Sequence, residues 1–575
     1  MGGLTPKQRR AAILIVAAIA FFAKIVLALK TYGTNDVYTY ERFGLWSRYL
    51  GVALYRIAPD LNHPPSMLHF LSALLRLADF THLPFHFWLR FWGILADAGS
   101  LWLVWRIAGE QTALLLIAIS PISILISGFH GNTDPLMIFF VLLAVWLAGY
   151  RDRALPAGAA FGLAFCIKIT PVIAAPVLLF WLPDWRRRVK FFGAAAAVTV
   201  AGWSPFLFDD PAAVVHQVFG YRSSYGLWGV SWLLRQLAVA WPATWRVNLI
   251  YSQTGSVLVL AAVTILAIAM NRMRNRPSLY AQVGMAFLFF FVFTGGFAVQ
   301  YLAWLTPWIA ELGAAPVALF VATGSVFLLV VYNYWTLGAP WYLAIAYPWN
   351  THQYFQVLCW LSVAVMAVTA WLRIRRGNNF LLRFRLPISP LVAWSGAGVA
   401  FAAFLIYPAY IHMRRDRLDV SPVYAEDDAL YTEADIYHNL AVELSRRGRR
   451  ADANAVEARS ELLMLQGDRA SDALLREQPG RSNLTTPESL VEASLEDYDR
   501  GDFAKCVYDA KESLKLRPGM PAAWNNIALC YGELGNWERA AAAAEEGFRL
   551  EPEVPEVRQN LEWAVAQKER AQRGR

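Results

Sequence analysis

AAILIVAAIAFFAKIVLAL, residues 11–29, is an apolar run about long enough to cross a bilayer as a helix. Lys7, Arg9 and Arg10 precede it, and it lacks the small-residue cleavage site of a signal peptide. It therefore reads as a retained membrane helix that starts in the cytoplasm. Outward from this run the same texture continues to Ile411. Residues 1–411 hold 29 Lys/Arg and only 12 Asp/Glu, whereas residues 412–575 hold 23 and 31. The first part is about one-tenth charged and the second about one-third, against roughly 25% in an average soluble chain. A soluble enzyme, a disordered chain and a nucleic-acid binder are excluded as descriptions of the whole. The basic excess sits in loops between apolar runs, where it reports membrane orientation. The fold class is all-α: a polytopic membrane protein with a soluble C-terminal tail.

Loop charge sets the topology. Lys7–Arg10 with Arg151 and Arg153, then Arg186–Lys190, Arg272–Arg276 and Arg373–Arg385, mark the cytoplasmic side. The chain must cross an even number of times between any two of them. Before Arg151 the apolar runs are 11–30, 66–80, 87–107, 111–128 and 135–150. Parity demotes one, and 66–80 is short and carries His69, Arg76 and Asp79, so residues 31–86 become one long outer loop. Residues 154–183 must enter and return as a short hairpin that turns at Lys168-Ile169-Thr170-Pro171. A lysine at that tip is costly in lipid and suggests a nearby anion. Then come 191–207, an outer loop 208–247, 248–270, four crossings in 279–371, and 388–411. The expected total is thirteen, with the N-terminus cytoplasmic and the tail outside. Arg414, Arg415 and Arg417, just past the last run, stand on the side that the positive-inside rule disfavours.

The tail repeats itself. Gly501 and Gly535, Pro518 and Pro552, Phe503 and Trp537, Leu490 and Trp524, and Ala510 and Ala544 are each 34 residues apart. That period, with small and aromatic residues at those positions, looks like tetratricopeptide repeats at 487–520 and 521–554, with a weaker copy at 434–467, and the last stretch, Val557–Lys568, reads as a capping helix. The expected domains are 1–411 in the membrane, a linker 412–433 and repeats 434–575. Such repeats stack into a superhelix whose concave face suits a peptide or protein partner, or they merely stabilise the chain. Cys166, Cys359, Cys506 and Cys530 show no metal-ligand spacing and read as small buried residues.

With so few acids before Ile411, each can be weighed. Asp36 lies in Thr34-Asn35-Asp36, just after the first run; Asp134 lies in His130-Gly131-Asn132-Thr133-Asp134-Pro135 at the outer end of the third crossing. Asp97 follows Arg90 by seven residues, on the same helix face. Each has a plainer reading. Asp134-Pro135 also starts a helix well, Asp36 also suits a solvated loop, Asp97 also suits a structural partner of Arg90, and His130 also suits an ordinary loop histidine.

Taken in order, Asp36, Asn62-His63-Pro64-Pro65, Arg90 to Asp97, His130 to Asp134, Lys168-Ile169-Thr170-Pro171 and Gln300-Tyr301-Leu302-Ala303-Trp304-Leu305-Thr306-Pro307 resemble the GT-C superfamily of integral-membrane glycosyltransferases. The nearest flavour is similar to the bacterial polyprenol-phosphate-mannose-dependent transferases and the GPI first mannosyltransferase. The resemblance covers roughly residues 1–411. It implies a sugar, mannose or a related hexose, moved from a polyprenyl phosphate to an acceptor hydroxyl at the outer face of a bacterial plasma membrane, with inversion. The acceptor is a glycan, a lipid or a protein. It further implies Asp36 as the base, Asp134 orienting the acceptor or steadying the base, and Lys168, Arg90 and Arg222 on the donor phosphate. His130, Asn132, Gln300, Tyr301 and Trp304 would line the substrate site, although the aromatics also suit an interfacial belt. No cofactor is expected. The GPI relatives carry a second acid where this chain has Thr34, which weakens a divalent metal without removing it. No strand–Gly-rich-loop–helix unit for a nucleotide sugar appears. The competing non-enzyme reading is a lipid-linked glycan transporter or an envelope scaffold that recruits partners through its repeats.

Overall fold

The computed structural model describes residues 5–109, 113–221, 223–336, 341–344, 353–376, 424–476 and 486–573. The chain divides into two compact units: Met1–Trp335 with Trp341–Ile406, and Thr336–Pro340 with Tyr407–Arg575.

The first unit is helical. Its opening helix, Pro6–Lys30, begins with a Thr5–Gln8 capping box and Pro6 at the first position, where a missing N–H costs nothing. Among the described residues five helices are long and apolar enough to cross a membrane: Arg10–Lys30, Trp185–Asp209, Pro242–Asn271, Ala315–Trp335 and Tyr354–Arg376. Shorter apolar helices, Asp134–Tyr150, Ala154–Ile167 and Leu279–Phe293 among them, accompany these. This all-α architecture, with several helices long enough to span a bilayer, suits a polytopic membrane protein. The expected last crossing, 388–411, lies outside the described residues.

Two irregular stretches interrupt the helices. Between Leu114 and His130 the backbone makes π-helical turns on either side of Pro121–Ser123, because Pro121 cannot donate its N–H and Ser120 is extended. Between Val299 and Leu312 the chain runs through short 3-10 and α turns around Pro307. The run 66–80 becomes the helix Pro65–Thr81, which buries Leu68, Leu71 and Leu75 and packs against the helix Asn35–Leu50. Its polar face carries His69, Arg76 and Asp79. Asp79 pairs with Arg48 at 2.5 Å, and not with its helix neighbour Arg76. The stretch expected as one long outer loop thus holds these two packed helices.

One close approach governs the site. Gly33 has φ +112, and a Cβ there would sit 2.7 Å from the Phe129 carbonyl oxygen; Gly131 has φ +80, and a Cβ there would sit 2.4 Å from Val37. Only glycine permits both the turn and the contact, so the exits of two helices lie side by side. Gly33–Thr34 also pairs in parallel with Leu343–Ala344.

The second unit consists of helix pairs. Helices start at Pro487, Pro521 and Pro555, and between them at Phe503 and Trp537, so the starts keep the 34-residue step. Small residues fill the interior: Ala510, Ala523, Ala528, Ala540 and Ala544 are buried with Ile527. Cys506 and Cys530, read from the sequence as small buried residues with no pairing assigned, form a disulfide between neighbouring helices. The helix Tyr424–Arg446 begins inside the stretch assigned to the linker, and Arg450–Arg476 runs past 467; no Pro interrupts either, and Gly467 does not end the second.

Candidate active site

The side chains nearest the two glycine-bearing exits form one hydrogen-bonded cluster. Thr34 caps the helix Asn35–Leu50 by accepting from the Asp36 N–H, and its hydroxyl donates to the His130 carbonyl at 2.8 Å. Asp36 therefore sits in the first turn, where the helix dipole favours a carboxylate. Three donors converge on its Oδ2: Asn132 Nδ2 at 2.7 Å, His130 Nε2 at 3.2 Å and Gln300 Nε2 at 3.3 Å. The side chain keeps 31% exposure, which leaves Oδ1 on the open side. Burial alone would raise this carboxyl; the His130 and Asn132 hydrogen bonds and the Lys168 charge outweigh it and hold it at about 2. Because a carboxylate only accepts, His130 Nε2 donates to it, while Nδ1 lies 2.7 Å from the Tyr332 hydroxyl.

Lys168 lies at the hairpin tip, between the helix Ala154–Ile167 and the turn Thr170–Ile173. Its ammonium is 2.5 Å from Asp134 Oδ1 and donates to Asn132 Oδ1 at 3.2 Å. Burial would lower it, but the Asp134 charge overrides this and holds Lys168 above the usual lysine value. Nζ also lies 5.7 Å from the centroid of the Tyr301 ring, which stacks on Trp304 at 4.0 Å. Asp134 itself is fully buried. It occupies the first position of the helix Asp134–Tyr150 after a Thr133 cap, with Pro135 behind it. It meets the lysine and not an open surface, so of the two roles expected for it only the steadying one is geometrically open.

Arg90 departs from the expectation. Its guanidinium donates to the carbonyls of Ala28, Thr31, His86, Gly128 and Phe129 and to the Thr31 hydroxyl. All its donors are spent on backbone and hydroxyl oxygens, so nothing is left for a phosphate. Nor does Asp97 pair with it: Asp97 takes Lys24 at 2.7 Å and Ser123 at 2.9 Å. Arg222 lies outside the described residues.

The cluster has members that the sequence did not single out for this role. Tyr40 OH meets Asn132 Oδ1 at 3.3 Å, Thr133 Oγ1 at 3.2 Å and His63 Nε2 at 3.0 Å. Burial and the nearby Lys168 push His63 down to about 3, so it stays neutral. His63 was visible in Asn-His-Pro-Pro; Tyr40, one helical turn after Asp36, was the readable signal for the rest. Tyr332, in a plain apolar helix, gave none.

Among the described residues no three of His, Cys, Asp or Glu stand together as ligands. Asp36 is ringed by N–H donors and an ammonium, which does not fit a divalent metal there.

Residues 63–294 match the family model of glycosyltransferase family 87. This segment is a glycosyltransferase family 87 domain. The chain is accordingly a glycosyltransferase. No curated protein matches the chain. The family 87 match takes in His63, His130, Asn132, Asp134 and Lys168, while Asp36, Gln300 and Tyr332 lie outside it and reach the same cluster through the fold.

Proposed function

We propose that the enzyme transfers a sugar, mannose or a related hexose, from a polyprenyl phosphate to an acceptor hydroxyl at the outer face of the membrane, with inversion. The acceptor oxygen forms the new bond to the anomeric carbon as the bond to the phosphate oxygen breaks. The acceptor proton passes to Asp36, and the polyprenyl phosphate leaves with its negative charge. The observation that carries this reading is the Asp36 carboxylate, held by three donors on one oxygen and open on the other. At about 2 it is fully ionised near neutral pH but weakly basic. Its basicity rises as donor and acceptor displace water, since burial is the force that opposes its low value. Lys168 supplies a fixed cation for the departing phosphate, and a charge placed where negative charge develops is among the strongest catalytic devices. Gln300, Tyr301 and Trp304 line the sugar side. Asp134 steadies Lys168, and through Asn132 it steadies Asp36.

Asp36→Asn tests the assignment. Loss of a positioned base typically costs about 10²–10⁴-fold in rate. Purified Asp36→Asn should transfer almost no sugar while it still binds polyprenyl-phosphate sugar. Transfer near the wild-type rate would remove Asp36 as base.

The same reading places the tail outside the cytoplasm after thirteen crossings, as a tetratricopeptide-repeat solenoid that binds a peptide or protein. The Cys506–Cys530 disulfide supports that side, because such bonds persist in oxidising compartments. Alkaline phosphatase fused after Arg575 should be active. A fluorescent reporter that matures only in the cytoplasm, fused at the same point, should stay dark.

A further inference from the structure

Arg90 is almost wholly buried, and among the described residues no carboxylate pairs with it. A buried charge without a counter-ion is among the costliest features a protein can hold. What balances it here is a pair of helix ends. The Ala28 and Thr31 carbonyls, with the Thr31 hydroxyl at 2.8 Å, close the helix Pro6–Lys30. The Gly128 and Phe129 carbonyls, at 3.3 and 3.1 Å, close the π-helical stretch Ile124–His130. Each helix C-terminus carries roughly −0.5 charge, so two of them offset one guanidinium.

The stretches that leave these two ends carry the site. Asp36 comes five residues after Thr31, and His130 and Asn132 come one and three residues after Phe129. We propose that Arg90 is a positioning residue: its rigid fork grips both helix ends and so sets the distance between the Asp36 carboxylate and the His130 and Asn132 donors. Another tie across the gap, Thr34 to the His130 carbonyl, is a single hydroxyl. Lysine cannot replace the fork, because its three donors radiate from one point. Only the kinetic readout of this assignment rests on Asp36 being the base.

Two measurements on the full-length protein separate the claims. The first is geometric: Asp36→Cys with Asn132→Cys, bridged by a short bifunctional methanethiosulfonate, in Arg90 and Arg90→Lys backgrounds. Bridging should be efficient with Arg90 and at least several-fold slower with lysine. The second is kinetic: Arg90→Lys alone should lower kcat by about 10²-fold, the cost of a misplacement of about 1 Å, with donor KM nearly unchanged. If Arg90→Lys fails to insert, Thr31→Val, which removes one grip, should give a smaller loss in kcat and slower bridging. Raised donor KM with unchanged kcat would make Arg90 a phosphate ligand and overturn the proposal. Wild-type bridging and kcat in whichever of these variants folds would overturn it too. Should Asp36→Asn prove active, the bridging result decides the clamp on its own.

Discussion

Two buried lysine–aspartate pairs lie in the same helical unit, and they do different things. Lys24 meets Asp97 at 2.7 Å and Lys168 meets Asp134 at 2.5 Å. The Lys24 side chain is 0% exposed, and its three protons go to Asp97, Ser123 Oγ at 2.8 Å and the Ile117 carbonyl at 3.1 Å. It closes the gap where Pro121 breaks a helix, as non-helical backbone at membrane depth requires. The Lys168 side chain is 16% exposed and spends its protons on Asp134 and Asn132, with the Tyr301 ring beside it. A saturated ammonium is structural. An ammonium with an open side, next to a carboxylate and an aromatic wall, is the one proposed to meet the donor phosphate.

The largest expected effect breaks the second pair. Lys168→Met should weaken donor binding by about 2–5 kcal/mol, the usual cost of truncating one partner of a buried hydrogen-bonded charge pair. Part of any loss would come from the Asp134 carboxylate left without its cation. The double change Lys168→Met with Asp134→Asn therefore sharpens the test: stability should return while donor affinity stays low. Full donor affinity in the double variant, measured in nanodiscs, would remove Lys168 from the phosphate site.

The matching change in the first pair should act on folding alone. Lys24→Met leaves Asp97 buried and uncompensated, at about 3–5 kcal/mol, and should lower the melting temperature in detergent sharply. Lys24→Met with Asp97→Asn should recover most of that stability, with donor KM close to wild type. A donor KM that rises in this double variant would erase the distinction between the pairs.

The sequence made one pair legible and hid the other. Lys168 stood out because parity forced a short hairpin and left a lysine at its tip. Lys24 stood in the middle of the opening apolar run, where nothing in the spacing names Asp97 and Ser123 as partners. Charge counting likewise placed Asp36 and the stretch His130–Asp134 on one side of the membrane, the resemblance added Gln300, and the fold brings the side chains of Asp36, His130, Asn132 and Gln300 together. Arg90 shows where such reading stops. The spacing offered it Asp97 and the resemblance offered it a phosphate, yet here the carbonyls at two helix ends take its donors, and backbone carbonyls leave no mark in a sequence. The Asp36 helix and the helix Pro65–Thr81 show the same limit at fold level: the loop's length and its apolar run were visible, but not their packing.

The smallest expected effect joins the two lysine environments through their neighbours. Asn132 donates to Asp36 and accepts from Lys168, so Asn132→Ala removes a hydrogen bond to the ionised carboxylate and loosens the ammonium. Loss of a bond to the charged form favours the protonated form, so the Asp36 value must rise from about 2. A hydrogen bond to a charged group is worth about 1.5–3 kcal/mol, which moves the acid limb of kcat upward by roughly one to two pH units. At neutral pH the carboxylate remains ionised, so kcat there should fall only modestly, through looser positioning. As pH is lowered, the variant should lose turnover before the wild type does, and both should recover when returned to neutral pH. Ser123→Ala, which removes the corresponding neighbour of the Lys24–Asp97 pair, should leave the acid limb where it was. An acid limb that shifts equally in both variants would mean that it reports general acid unfolding and not the titration of Asp36.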